Sequence, residues 1–270
     1  WTEDGLKVEL VNYDSIDAVP YDLCISGAGS KAISILRTWR PRAVTKFDMN
    51  SFANGNYLSA MQKGINADVI GKVLYPADYT MEGKSLRLQQ QYLLVSASAQ
   101  DMIKSHLDHY ESLDNFADKV AIHINDTHPA MIIPELMRIF MDVYGYEWDN
   151  AFDIVTNAVS YTNHTVLSEA LEVWPEELIK RLLPRIHQIM QEINRRYCEH
   201  IWNKYPDDWG RCERMSIISY DSIRMANLSV IGSHKVNGVS KMHSKILKDR
   251  VFKDFFEDTP EKFTNVTNGI

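Results

Sequence analysis

Residues 120–129 read VAIHINDTHP, and this stretch decides the fold. Val120, Ile122 and Ile124 alternate at period two, as a strand does when one face is buried. Asn125 to His128 form a polar loop, and Pro129, a residue suited to the first helical position, opens a helix predicted to run to Gly145. The unit is strand, loop, helix. It recurs downstream, with a helix over residues 149–157, a strand near 158–162 and the loop Asn163-His164-Thr165. Further on, Ile186, Ile189, Met190, Ile193 and Tyr197 share one stripe of a helix predicted over 184–205. Shorter helices are expected near 221–231 and 240–252, and a strand at 263–266.

Strands alternating with helices predict an α/β fold, a mostly parallel Rossmann-like sheet covered by helices on both faces. Ligands of such sheets bind beyond the carboxyl ends of the strands, where Asp126, His128, Asn163 and His164 fall.

The first third of the chain reads differently. Residues 8–11 and 21–25 have strand character, and Ile33, Ile35, Arg37 and Trp39 alternate after the turn Ser26-Gly27-Ala28-Gly29-Ser30, which predicts a hairpin. A phosphate-cradling loop should open a helix, and here a strand pattern follows, so Gly27 and Gly29 belong to the turn. From Ser51 the spacing becomes helical through Leu58, Met61, Ile65, Val69 and Val73, ending at Pro76. Gly55, Gly64 and Gly71 weaken that helix, so it requires packing partners. A long helix with a broad apolar face is expected from about 83 to 109.

Composition limits the functions open to the chain. Its 270 residues are 45% hydrophobic and 24% charged, ordinary for a globular domain with a sizeable core. With 29 Lys+Arg against 36 Asp+Glu and a net charge of −7, nothing attracts nucleic acid or an anionic membrane. Cys24, Cys198 and Cys212 have no paired spacing, which argues against a zinc ribbon or disulfide framework and for a reducing cytoplasm. No apolar run reaches the length of a spanning helix. No repeat or linker divides residues 1–270, so a single domain is expected. The start, Trp1-Thr2-Glu3-Asp4, lacks an initiator Met and the end, Thr267-Asn268-Gly269-Ile270, stops after a turn. Both look like cuts through a longer protein.

Asn125-Asp126-Thr127-His128 and Asn163-His164-Thr165 offer acid, hydroxyl, amide and imidazole groups that suit a polyhydroxylated ligand. Helix capping and exposure would explain either cluster alone. One binding site explains both, because both emerge at the same sheet edge. His123, Asp126 and His128 lack the one-turn spacing of a helical metal site, and no Gly-x-Ser-x-Gly elbow marks a hydrolase.

Several segments together resemble the α-glucan (glycogen or maltodextrin) phosphorylase family. They are Asn125-Asp126-Thr127-His128-Pro129, Thr162-Asn163-His164-Thr165-Val166-Leu167, Glu169-Ala170-Leu171-Glu172, Trp174-Pro175, Gly232-Ser233-His234, Val236-Asn237-Gly238-Val239 and Thr267-Asn268-Gly269-Ile270. Leu74-Tyr75-Pro76, Gly83-Lys84 and Leu86-Arg87-Leu88 extend the likeness, which covers the chain from about Val19 onward.

The resemblance implies a partial amino-terminal domain of a two-domain, GT-B type glycosyltransferase. The whole enzyme would be an allosteric cytoplasmic homodimer that uses phosphate to release glucose 1-phosphate from an α-1,4-glucan. It implies pyridoxal 5'-phosphate in a carboxyl-terminal domain, with the cofactor lysine absent from this chain, so the chain alone is expected to be inactive. His164 resembles the catalytic histidine that binds the glucose 6-hydroxyl and turns its carbonyl toward the anomeric carbon, and Asn268 the amide partner of that hydroxyl. Asp126, His128 and Glu172 resemble the polar wall beside the sugar, and Asp78 the acid of a gating loop. Residues 51–72 correspond to a helix that packs on its mate in the homodimer. Lys104-Ser105 stands where regulated members hold an AMP phosphate with arginines. Gln188 matches a surface glycogen site whose histidine and tyrosine are here Ile186 and Gln191. A stand-alone glucan-binding or dimerisation module is the alternative.

Overall fold

The structure, a computed structural model, describes residues 8–45 and 47–269. Trp1–Asp4 and Ile270, on which the reading of the two ends drew, lie outside the described residues. The chain divides into two compact units at Ser98/Ala99.

In the first unit β1 (Ile16–Ser26) and β2 (Ile33–Ala43) form the predicted hairpin, antiparallel with Ser26 opposite Ile33. Gly29 turns the chain with φ 68. Residues 8–11 are not a strand; no strand among the described residues pairs with them. The helix expected over 51–72 is two helices, α1 (Met49–Ala53), capped by the Asp48 carboxylate, and α2 (Tyr57–Lys72). Gly55, at φ 80, breaks them apart, a conformation glycine adopts freely. Gly71 lets α2 meet the hairpin, since a Cβ there would sit 2.7 Å from the Pro41 ring. The buried face of α2 is Ala60, Ala67 and Ile70. The stripe that suggested the helix is exposed, with Leu58 at 80%. α3 (Met81–Leu107) is the long helix expected, with Leu88, Val95, Ala99 and Ile103 buried along one stripe.

The second unit continues with α4 (Phe116–Lys119), β3 (Ile122–Asn125), α5 (Ile132–Arg138) and α6 (Trp148–Ala158). A turn occupies 127–131, so α5 starts after Pro129. It continues as a π-helical turn through Val143, and Gly145, at φ 73, closes it. Then come β4 (Val159–Thr162), β5 (Val173–Pro175), α7 (Glu176–Leu182), α8 (Pro184–Lys204) and α9 (Trp209–Met215). β6 (Ile218–Ser219), β7 (Ser222–Arg224), α10 (Met225–Ile231), β8 (Lys235–Gly238), α11 (Lys241–Ile246), α12 (Lys253–Asp258) and β9 (Phe263–Asn265) complete it. The helix expected over 221–231 is in fact a strand and then α10.

The main sheet is parallel, in the order β3-β4-β8-β9, and β5, β7 and β6 form a small antiparallel sheet. Ile124, Tyr161, Val236 and Phe263 lie in register on one face of the parallel sheet, all buried. Tyr161 meets Phe252 there at 6.4 Å. Burying each such side chain is worth roughly 1.5–3 kcal/mol. The other face differs from the expected apolar cover. It carries His123, Asn125, Ser160, Thr162, Lys235, Asn237 and Thr264, of which His123, Asn125, Lys235 and Thr264 are exposed.

Candidate functional site

The carboxyl ends of β3, β4, β8 and β9 bring four loops to one edge. After β3 the Asp126 N–H still donates to Thr162 O at 3.0 Å, and then the backbone turns, with Asp126 at φ 61. Its carboxylate accepts from Thr127 N at 2.6 Å, which steadies a left-handed conformation that aspartate tolerates. Thr127 is buried, and its hydroxyl donates to Glu172 Oε2 at 3.1 Å, tying this loop to the segment before β5. His128 follows half-buried in the turn.

After β4, Asn163 is fully buried and bonded on three sides. Its N–H donates to Asn237 O at 3.0 Å, its Nδ2 to Tyr161 OH at 3.0 Å, and its Oδ1 accepts from Thr165 N at 2.9 Å. Burial pushes the Tyr161 phenol far up; the Asn163 bond opposes this, and the Asp126 and Glu172 carboxylates add to it. Tyr161 is therefore a neutral fixture. The turn made by Asn163 and Thr165 presents His164, exposed, with Nε2 2.5 Å from Asn125 Oδ1. An imidazole that gives its Nε2 proton to that amide oxygen keeps Nδ1 as an acceptor.

Asn268 is exposed beyond β9, and its N–H donates to Val239 O at 3.2 Å, just past β8. Val239 N in turn donates to His243 Nδ1 at 3.2 Å, and His243 Nε2 bonds Thr165 O at 3.2 Å. Three hydrogen bonds thus run from the residue beside His164 to Asn268.

The second unit therefore brings Asp126, His128, His164, Glu172 and Asn268 to the loops of one sheet edge. Asp78 belongs to the first unit, where its carboxylate accepts from Arg87 Nη1 at 2.8 Å. His123 bonds Ser160 and Thr162 through its two ring nitrogens. Among the described residues no cluster of three or more His, Cys, Asp or Glu is placed to hold a metal. A surface pocket of about 220 Å³ lies elsewhere, between α6 and α8, lined by Trp148, Phe152 and Tyr197 among others. No sequence-predicted site residue lines it. Ile186 is 1% exposed and belongs to the core.

Sequence reasoning passed over His243 and Asn237. The available signal for His243 was the pattern Ser240-x-x-His243, a capping serine followed three residues later by a residue whose N–H it accepts, at 3.1 Å.

The family model described as "Carbohydrate phosphorylase" matches residues 2–270. A glycogen phosphorylase of Bacillus subtilis (strain 168) is 45% identical, covering 94% of this chain and 31% of the relative. One from Chlamydia pneumoniae is 44% identical, covering 97% and 32%. The brain form of glycogen phosphorylase from Homo sapiens is 44% identical, covering 100% and 33%. The chain thus spans about a third of the length of these curated relatives.

Proposed function

This chain belongs to the carbohydrate phosphorylase family, and on that premise we propose that it is the sugar-binding part of an α-1,4-glucan phosphorylase. The whole protein transfers the terminal glucose of glycogen or maltodextrin to inorganic phosphate, releasing glucose 1-phosphate. Residues 1–98 and 99–270 are two parts of one amino-terminal domain. The phosphate-binding side lies in chain beyond this one, and these 270 residues alone do not turn over.

In this reading His164 Nδ1 accepts a sugar hydroxyl, the 6-hydroxyl, and Asn268 is the second partner of the same group. A neutral sugar is held by such directional bonds. The His164 carbonyl, aimed by the turn between Asn163 and Thr165, places a fixed dipole toward positive charge developing at the anomeric carbon. Asp126, His128 and Glu172 form the polar wall. The observation that carries the reading is the path of three hydrogen bonds between the neighbour of His164 and Asn268.

The family's cofactor, pyridoxal 5'-phosphate, supplies an acid phosphate group. Lys262 does not fit it. The deeply placed Lys262 lies before β9, at the opposite end of the strands, and its ammonium is committed to Val230 O and Ile231 O at 3.3 and 3.1 Å.

The exposed stripe Leu58, Met61, Ile65 and Val69 on α2 supports a homodimer contact in the whole protein. No described helix is long and apolar enough to cross a membrane, and the protein works in the cytoplasm. The test is release of glucose 1-phosphate from maltodextrin. The whole protein is expected to produce it and this chain is not; free glucose from the whole protein would mark a hydrolase and sink the proposal.

A further inference from the structure

We propose that His243 is a positioning residue of the sugar site, a neutral imidazole protonated on Nε2 that fixes the spacing between the loop of His164 and the strand end holding Asn268. The proposal rests on the reading of His164 and Asn268 as sugar ligands.

The tautomer follows from two partners of fixed polarity. The Val239 amide can only donate and lies 3.2 Å from Nδ1; the Thr165 carbonyl can only accept and lies 3.2 Å from Nε2. One form of the ring satisfies both, with the proton on Nε2 and the lone pair on Nδ1. A doubly protonated ring would set N–H against N–H at Val239.

The ring has a rigid base. His243 is 8% exposed, and its own N–H is pinned to Ser240 Oγ. β8 and α11 touch so closely that a Cβ at Gly238 would sit 2.8 Å from Ser244 Oγ and 2.9 Å from Ser244 N. Its two bonds reach opposite sides of the site. Thr165 closes the turn that presents His164, and that turn is held at its other end by buried Asn163. Val239 receives Asn268 N–H on its carbonyl. A pyranose gripped from two loops is bound well only at one separation, and the imidazole is the spacer.

The amides and the ring can be read in this chain without ligand, by nitrogen NMR of the imidazole and by amide exchange. The wild type is expected to show His243 protonated on Nε2 alone at neutral pH. His243→Phe is expected to speed exchange at Val239 about tenfold, as befits one lost hydrogen bond. His243→Asn, whose Oδ1 stands where Nδ1 stood, restores protection at Val239. In the whole enzyme His243→Phe raises KM for maltoheptaose about tenfold and lowers kcat less, and His243→Gln, which still reaches Thr165 O, recovers part of the loss. A wild-type ring protonated on Nδ1 overturns the proposal. So does a phenylalanine variant with unchanged exchange and KM. Should that variant not fold, the wild-type spectrum and the Asn and Gln pair decide the matter. If His164→Ala leaves KM unchanged while His243 has the stated tautomer, the sugar reading has failed and the positioning role falls with it.

Discussion

Thr165 O and His243 Nε2 meet at 3.2 Å across 78 positions of sequence. The bond joins the loop after one strand of the parallel sheet to the helix after another, so the loop that presents His164 is braced by a buried group. Asn163, fully buried, holds the other end of the same turn. His164 and Asn268 are exposed, and Asn163 and His243 behind them are buried.

His164→Ala in the whole enzyme is expected to lower kcat/KM for maltodextrin about hundredfold, the scale seen when one directed polar group is removed from a transition state. Initial rates of glucose 1-phosphate release measure this. A change below threefold would remove His164 from the site.

Leu58→Glu together with Met61→Glu places charge on the exposed stripe of α2. The stability of this chain should change by less than about 0.5 kcal/mol, as for surface substitutions. In the whole protein the pair should shift sedimentation from dimer to monomer. A dimer of undiminished strength would point to another face.

Burial pushes the Cys198 thiol up to about 12, with Cys212 adding to the rise, whereas Cys24 is exposed. The thiolate is the reactive form. Iodoacetamide at pH 8 should therefore modify Cys24 at least about tenfold faster than Cys198, as read by peptide mass spectrometry. Equal rates would contradict the half-buried placement on α8.

Burial lowers the Lys262 ammonium to about 8, against the pull of Glu261 and Asp258. Between about pH 8 and the ordinary lysine value of 10.5 the unfolded chain then binds more protons than the folded one, so stability rises with pH across that window. Below pH 8 the cost of the buried charge is present in full. Lys262→Met should lack this rise. Urea unfolding from pH 8 to 10 should show the wild type gaining at least about 1 kcal/mol relative to the variant; a constant difference would falsify the buried charge.

The strand at Ile122–Asn125 and the helix at Pro184–Lys204 were legible because most of their apolar spacing survives folding, with Ile124, Ile186, Ile189, Met190 and Ile193 buried as the period picks them out. α2 shows the opposite. Its most regular apolar stripe faces outward, and two alanines and Ile70 make the contact, so period alone named the wrong face. β8 was passed over because Lys235-Val236-Asn237-Gly238 has one branched apolar residue, and its strand conformation comes from β4 and β9 on either side. β5, β6 and β7 are two or three residues long, too short for any period. The loops of Asp126 and His164 could be placed at one edge from strand order. The brace of His243 could not, since it depends on where a helix lands against a loop 78 positions away.

The parallel sheet has one oily side and one wettable side. On the wettable side a relay passes from Ser160 through His123 and Thr162 to Asn237, each group giving its proton to the next. Three strands are stitched laterally by bonds that do not depend on excluding water. A sheet built this way presents hydrophilic texture where most parallel sheets would present grease, so this face supplies little drive to self-association.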